Sequence, residues 1–177
     1  MIRKAVREDI PFIAKIYDAI LTNEEAGKVT IGWARGVYPT EQTALDALEK
    51  GTLFVYEEAD AEGNSCIVAA AKIDQTQVPE YADCQWEHEA PDDQIMVLHT
   101  LVVDPAGPRR GYGKAFVKFY EEYALSQGCR YLRMDTNKRN VIARKMYAKL
   151  GYKEPGVVYC VFNGIPDVRL VCLEKKL

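Results

Sequence analysis

Residues Leu98 to Val117 read LHTLVVDPAGPRRGYGKAFV. The apolar run predicts a strand that ends at Asp104-Pro105, where proline has no N–H to give a ladder. A short loop rich in Gly and Arg follows. The apolar spacing from about Gly113 onward then predicts a helix, Lys114 to Gln127. Such a strand–loop–helix junction aims the unpaired first-turn N–H groups, with the positive end of the helix dipole, at one place. That is a ready site for phosphate or pyrophosphate. Gly111 and Gly113 let the backbone approach an anion without an intervening Cβ, while Arg109, Arg110 and Lys114 add cations. The chain lacks GxxxxGK[ST] and GxGxxG, which excludes a P-loop and the dinucleotide fingerprint.

Upstream, the pattern predicts a strand at Ile2 to Val6 and a helix capped by Asp9, with Pro11 in its first turn and Ile10, Ile13, Ile16, Tyr17 and Ile20 on one face. Thr22 to Pro39 reads as a loop or broken helix carrying Trp33 and Tyr38. Glu41 to Lys50 reads as a helix stopped by Gly51. Leu53 to Glu57 and Cys66 to Ile73 form a predicted hairpin, and Gln75 to Gln94, with Pro79 and Pro91, a long surface excursion. Ile95 to Val103 is a strand. Downstream come a strand at Tyr131 to Asp135, a helix at Val141 to Leu150 closed by Gly151, and two strands, Val157 to Phe162 and Val168 to Leu173, about the turn Asn163-Gly164. This order predicts a mixed α/β (α+β) domain. Its twisted sheet of about seven strands is mostly antiparallel, with one right-handed parallel βαβ crossover and about four flanking helices, so it is not a doubly wound fold.

The chain has 177 residues, 48% hydrophobic and 28% charged, which suits one domain over 1–177. No apolar run approaches the roughly 20 residues of a membrane span. The start MIRKAVREDI is broken by Glu8 and Asp9 before any apolar stretch, so no signal peptide is read and a cytoplasmic protein is expected. Five cysteines without a CxxC or CxxH pair read as free thiols, and with only His88 and His99 no metal is expected. From Ile73 to Pro108 there are acidic residues but no Lys or Arg, whereas from Arg109 to Lys153 twelve basic residues stand against three acidic ones. The cations gather about the phosphate junction, which favours one bound nucleotide-like ligand over nucleic acid.

A second motif lies downstream. Asn140 to Tyr152 reads NVIARKMYAKLGY, which sets Asn140, Ala143 and Tyr147 along one helical face. Together the two motifs resemble the GCN5-related N-acetyltransferase (GNAT) superfamily. Its strand [L/V]-x-V-x-P, loop [R/Q]-x-x-G-x-[G/A] and helix N-x-x-A-x-x-x-Y-x-x-x-G-[F/Y] are matched by Leu101 to Pro105, by Gly111-Tyr112-Gly113 and by Asn140 to Tyr152. The similarity covers about residues 95 to 152, and the element order extends it to a GNAT-like fold over the whole chain.

The resemblance implies acetyl-CoA as cofactor. It places the pantetheine arm along the backbone of Leu101, Val102 and Val103, and the pyrophosphate at Arg109, Arg110, Gly111, Tyr112, Gly113 and Lys114. Asn140 and Ala143 would lie beside the cofactor, with Tyr147 set to protonate the leaving thiolate. One departure is Pro108, which stands where the family has Arg or Gln; Arg109 or Arg110 would substitute. Acetyl transfer to an amine needs a neutral nucleophile, a polarised thioester carbonyl and a proton for sulfur. His99 is the first candidate base. Glu57, Glu58 and Asp135 stand behind it, each read as a surface charge. Trp33, Tyr38 and Trp86 are read as bordering the acceptor cleft. The acceptor expected is a small amine or amino-acid-like metabolite. A peptide N-acetyltransferase and a non-catalytic acyl-CoA sensor are the rivals. The β-rich C-terminus allows a homodimer, and no nucleic-acid or membrane partner is expected.

Overall fold

The apolar stripe of the first helix is buried as its spacing demands, with Ile10, Ile13, Ile16, Tyr17 and Ile20 each at most 7% exposed in α1 (Ile10–Glu25). Asp9 does not cap it. The Asp9 carboxylate accepts from the Val6 N–H at 2.8 Å and from two guanidinium nitrogens of Arg3 at 2.7 and 3.0 Å. It thereby closes the 3₁₀ turn Arg7–Asp9 and ties the first strand to the helix, because Arg3 offers its carboxylate a charged partner.

The computed structural model describes residues 1–59, 62–107 and 110–177. After β1 (Ile2–Lys4) and α1 come α2 (Glu41–Glu49), β2 (Leu53–Ala59), β3 (Ser65–Asp74), β4 (Ile95–Val103), α3 (Tyr112–Ser126), β5 (Tyr131–Asn137), α4 (Val141–Lys149), β6 (Lys153–Phe162) and β7 (Ile165–Lys176). The sheet order is β1-β2-β3-β4-β5-β7-β6, with β4 and β5 parallel and every other pair antiparallel. The expected order, crossover and hairpins are all present. Boundaries moved where glycine or an edge position permits. A left-handed Gly111, φ 79°, lets α3 start at Tyr112. At the sheet edge, β6 starts at Lys153 despite Pro155, since an edge strand tolerates a missing N–H.

The sheet is buried on both faces. Phe116 and Tyr120 of α3 pack with Leu132, Met134 and Leu173 on one side, while α1 and α2 cover Val55, Ala70 and Val102 on the other. That is why β4 reads as a continuous apolar run. The hydroxyl of Tyr120 reaches the carbonyls of Met96 at 2.6 Å and Arg133 at 3.1 Å, clamping the parallel pair.

The excursion between β3 and β4 is not merely surface. Its 3₁₀ turn Pro79–Asp83 buries Tyr81 (3% exposed), and Cys84 follows it inward, against Ile95 and Val97 of β4 and Leu170 and Cys172 of β7. On this face α1 and α2 stop short of β5 and β7, so the excursion supplies the cover that a helix would.

Candidate active site

The parallel pair runs only from Ile95↔Tyr131 to Leu98↔Met134. Beyond it the strands part. β4 continues to Val103 against β3, and β5 continues to Asn137 against β7. At the parting, the β3–β4 register shifts between Ala70 and Lys72, and Thr100 takes a φ of 52°, uncommon for a β-branched residue. The Tyr38 hydroxyl bonds Thr100 Oγ1 there. A bulge at this place turns β4 away from β5 and frees one backbone edge of each strand.

A cavity of about 530 Å³ fills the gap, within the size range of small-molecule sites. Its wall includes Leu101, Val102, Val103, Asn140, Ala143 and Tyr147 together with Trp33, Tyr38, His99 and Asp135. Leu101 to Val103, Asn140, Ala143 and Tyr147 thus share one wall, whereas Arg110, Gly111, Tyr112, Gly113 and Lys114 do not line it. Trp86 is not among them: its indole N–H donates to the Tyr81 carbonyl at 3.0 Å, and its ring stacks on the Arg133 guanidinium at 4.1 Å. Asp135, read from sequence as a surface charge, instead lies half-buried on the cavity wall.

The N-terminus of α3 lies next to the parted strand. Among the described residues no side chain caps it and no acidic residue occupies its first turn, so its first N–H groups are open to an outside acceptor. Exposed Arg110 leans on Glu58 at 3.3 Å, and Glu58 also accepts from the Tyr112 hydroxyl. Tyr112 therefore has only its backbone to offer a ligand, while exposed Lys114 has no ion-pair partner among the described residues. Arg109 and Pro108 lie outside the described residues. Nothing lies within 4 Å of a Cβ built on Gly111. Gly111→Ala therefore adds backbone strain without a clash, and should cost ~1–2 kcal/mol and lower Tm by roughly 2–8 °C. Thermal unfolding with and without acetyl-CoA should also show a smaller ligand-induced shift than for the unaltered chain.

Asn140 caps α4: its Oδ1 accepts from the Ala143 N–H at 3.3 Å, and its Nδ2 donates to Thr136 Oγ1 at 3.1 Å. The Asn of the motif thus fixes the helix that carries Tyr147. Tyr147 is 6% exposed, and its hydroxyl has no hydrogen bond to the described residues although it lies on the cavity wall. Burial, helped by the charge of Asp135, pushes its pKa up, so it keeps its proton.

His99 Nε2 lies 3.1 Å from the Thr76 carbonyl and 3.2 Å from Asp74 Oδ1. A carbonyl only accepts, so Nε2 carries hydrogen, and in the neutral ring the lone pair is then on Nδ1. Asp74 orients the ring. Burial raises its pKa, but bonds from His99 and the Thr76 N–H, the His99 charge and Lys72 outweigh that and hold it at about 2. Glu57 is occupied elsewhere, bound by Arg3 at 2.6 Å. Glu87, His88 and Glu174 bring possible metal ligands within 4.8 Å of one another, but Lys153 pairs with Glu87 at 2.7 Å and none of the three lines the cavity.

The Acetyltransferase (GNAT) family matches residues 18–152. An uncharacterized N-acetyltransferase of Methanocaldococcus jannaschii is 32% identical over 76 residues, 43% of this chain; the match spans 34% of that relative's length. The fold is similar to a GNAT-family acetyltransferase of Streptococcus agalactiae (TM-score 0.79, 20% identity, 100% of this chain and 95% of that one). It is also similar to YncA of Salmonella typhimurium, solved with its cofactor acetyl-CoA (TM-score 0.69, 15% identity, 100% and 93%). A third likeness is to a ribosomal-protein-alanine N-acetyltransferase of Brucella melitensis (TM-score 0.70, 17% identity, 100% and 99%). With the strand of the first motif and the helix of the second on one cavity, and the family match covering most of the sequence, the chain belongs to the GNAT family of acetyltransferases, which use acetyl-CoA.

Proposed function

We propose that the chain, acting as one domain in the cytoplasm, transfers an acetyl group from acetyl-CoA to the primary amine of a small molecule or amino-acid-like metabolite. The amine attacks directly in a ternary complex. The observation that carries this reading is the cavity between the parted strands, whose wall joins the free edge of β4 to His99 and a protonated tyrosine, while the start of α3 packs beside it against Val103. Bound acetyl-CoA supplies the thioester carbonyl. The backbone of Leu101 to Val103 would hold its amide arm, with Asn140 and Ala143 alongside. The amides from Arg110 to Lys114, together with the Arg109 and Lys114 cations, would hold its pyrophosphate.

His99 Nδ1 removes a proton from the ammonium form of the amine, Trp33 and Tyr38 flank the amine's body, and Tyr147 gives its proton to the departing sulfur. The second N–H proton released as the amide forms returns through water to Tyr147. Trp33 and Tyr38 meet edge to face at 5.8 Å on the cavity wall, an apolar surface for the amine's body.

The test is thermal unfolding with acetyl-CoA followed by thiol release over a panel of alkylamines, arylethylamines, amino acids, amino-acid amides and peptides. Ligand at ~100 times its dissociation constant adds roughly 2.7 kcal/mol and should raise Tm by roughly 5–10 °C. Turnover should then follow with free amines. A shift without any thiol release would leave a binding protein, and turnover of peptides alone would move the acceptor to proteins.

A further inference from the structure

Asp135 stands on β5 just past the last β4 pair, with its side chain on the cavity wall. No Lys or Arg pairs with it among the described residues. Its side-chain partner is Tyr81, whose hydroxyl donates to Oδ2 at 2.7 Å from 54 residues earlier in the chain. Tyr81 is itself fixed: it is 3% exposed, and Trp86 packs edge-on at 5.1 Å while its N–H holds the Tyr81 carbonyl. The excursion between β3 and β4 therefore buries an aromatic residue and aims its hydroxyl at a carboxylate in the cavity. Oδ1 is left without a partner among the described residues.

Facing this carboxyl are Tyr81 and Glu80 from the 3₁₀ turn, His99 from β4, Tyr147 from α4 and Tyr38 from the loop before α2, with Cys160 and Cys172 from β6 and β7. None of them bears a permanent positive charge. While His99 is neutral, an ionised carboxylate held here lacks a counter-ion, and a cation carried in by a ligand would supply one.

We propose that Asp135, held in place by Tyr81, receives the ammonium group of the acceptor, so that the site selects primary amines that arrive protonated. This rests on the amine-acetylation reading above. Tyr81 is a positioning residue: it occupies Oδ2 and leaves Oδ1 for the ammonium, whose apolar body then lies against Trp33, Tyr38 and Phe162 on the same wall. Asp135 binds the cation, and His99 removes the proton.

The ionisation of Asp135 makes this measurable. Burial raises it to about 6, the Tyr81 bond and, when protonated, His99 work against that rise, and Glu80 adds to it. At pH 7.5 the carboxylate is mostly ionised. Below about 6 it becomes neutral, so KM for the amine should climb as pH falls through that value. Removing the Tyr81 hydroxyl withdraws a donor from the ionised form, which should move this rise in KM to higher pH.

The experiment uses the best amine of the panel, with KM and kcat measured from pH 5.5 to 8.5 for the unaltered chain, Asp135→Asn and Tyr81→Phe. D135N should raise KM at pH 7.5 by ~10–100-fold, the scale of a hydrogen bond to a charged group, with kcat nearly unchanged. Y81F should shift the acid limb upward, and both variants should keep the thermal shift with acetyl-CoA. The N-trimethylated form of the same amine, which keeps the charge and cannot be acetylated, should inhibit the unaltered chain and lose most of its hold on D135N. An unchanged KM in D135N, or a loss confined to kcat, overturns the proposal. If D135N does not fold, an unmoved acid limb in Y81F does so alone. Absence of turnover with every amine would instead remove the amine-acetylation reading itself.

Discussion

Tyr147→Phe should lower kcat by ~10²–10⁴-fold, the usual contribution of a positioned acid, while leaving acetyl-CoA affinity and Tm nearly unchanged. The expectation follows from where the hydroxyl sits. Tyr147 lies on one helical face with Asn140 and Ala143, and Asn140 caps the helix, so the ring is delivered to the parted strands by the geometry of α4. A tyrosine whose hydroxyl served only packing would be expected to satisfy that group inside the protein. This one has no such bond to the described residues and lines the cavity instead. Its raised pKa keeps the proton in place until a thiolate, a much stronger base than the thioester sulfur, develops beside it. Single-turnover rates with a fixed amine, alongside calorimetric binding of CoA, make the check. Equal rates for the two chains would remove Tyr147 from the chemistry, and a parallel loss of CoA binding would make its role one of packing.

The second large effect is expected at His99. In His99→Gln the side-chain amide can still donate to the Asp74 carboxylate and the Thr76 carbonyl, so the local frame should survive, while the lone pair on Nδ1 is lost. The rate of acetyl transfer near neutral pH should fall by ~10²–10⁴-fold. It should recover partly as pH rises, because the bound ammonium then loses its proton to solvent base without the imidazole. Asp74→Asn should have a smaller effect, since it disturbs the orientation of the ring and leaves the ring itself. A pH–rate profile of kcat for the three chains separates these cases. Loss at neutral pH that no rise in pH relieves would mean that His99 shapes the cavity and does not take the proton.

The two catalytic expectations and the acceptor proposal divide the labour in a way kinetics can resolve. His99 and Tyr147 belong to kcat, and Asp135 with Tyr81 to KM. The division has an electrostatic basis: a cation is attracted to Asp135, the proton must leave before attack, and it leaves to a neutral imidazole whose other nitrogen is held by Asp74.

Most of the fold was legible because it rests on local chemistry. The apolar period of α1, the Gly stops after α2 and α4, the Asn163-Gly164 turn and the proline after β4 each act within a few residues, and the structure places elements where they predict. The strand–loop–helix junction behind Gly111 is local too, and spacing set Asn140, Ala143 and Tyr147 on one face, while their roles came from the family resemblance and the Asn140 cap from the structure. Other features answer to contacts between distant parts of the chain. Asp9 left its expected cap because Arg3 sits opposite it. Trp33 and Tyr38 reach the cavity while Trp86 turns to Arg133, although all three stand in irregular segments that sequence cannot orient. Asp135 looked like one more charge at a strand end. Only the parting of β4 from β5 opened a cavity beside it, and only the uncovered sheet face drew Tyr81 inward to hold it. Periodicity and turn residues determine which elements form, since they act through neighbouring dihedrals and hydrogen bonds. Which side chains share a site is decided by the tertiary structure, where burial over the whole sheet selects one packing among many that the local pattern allows.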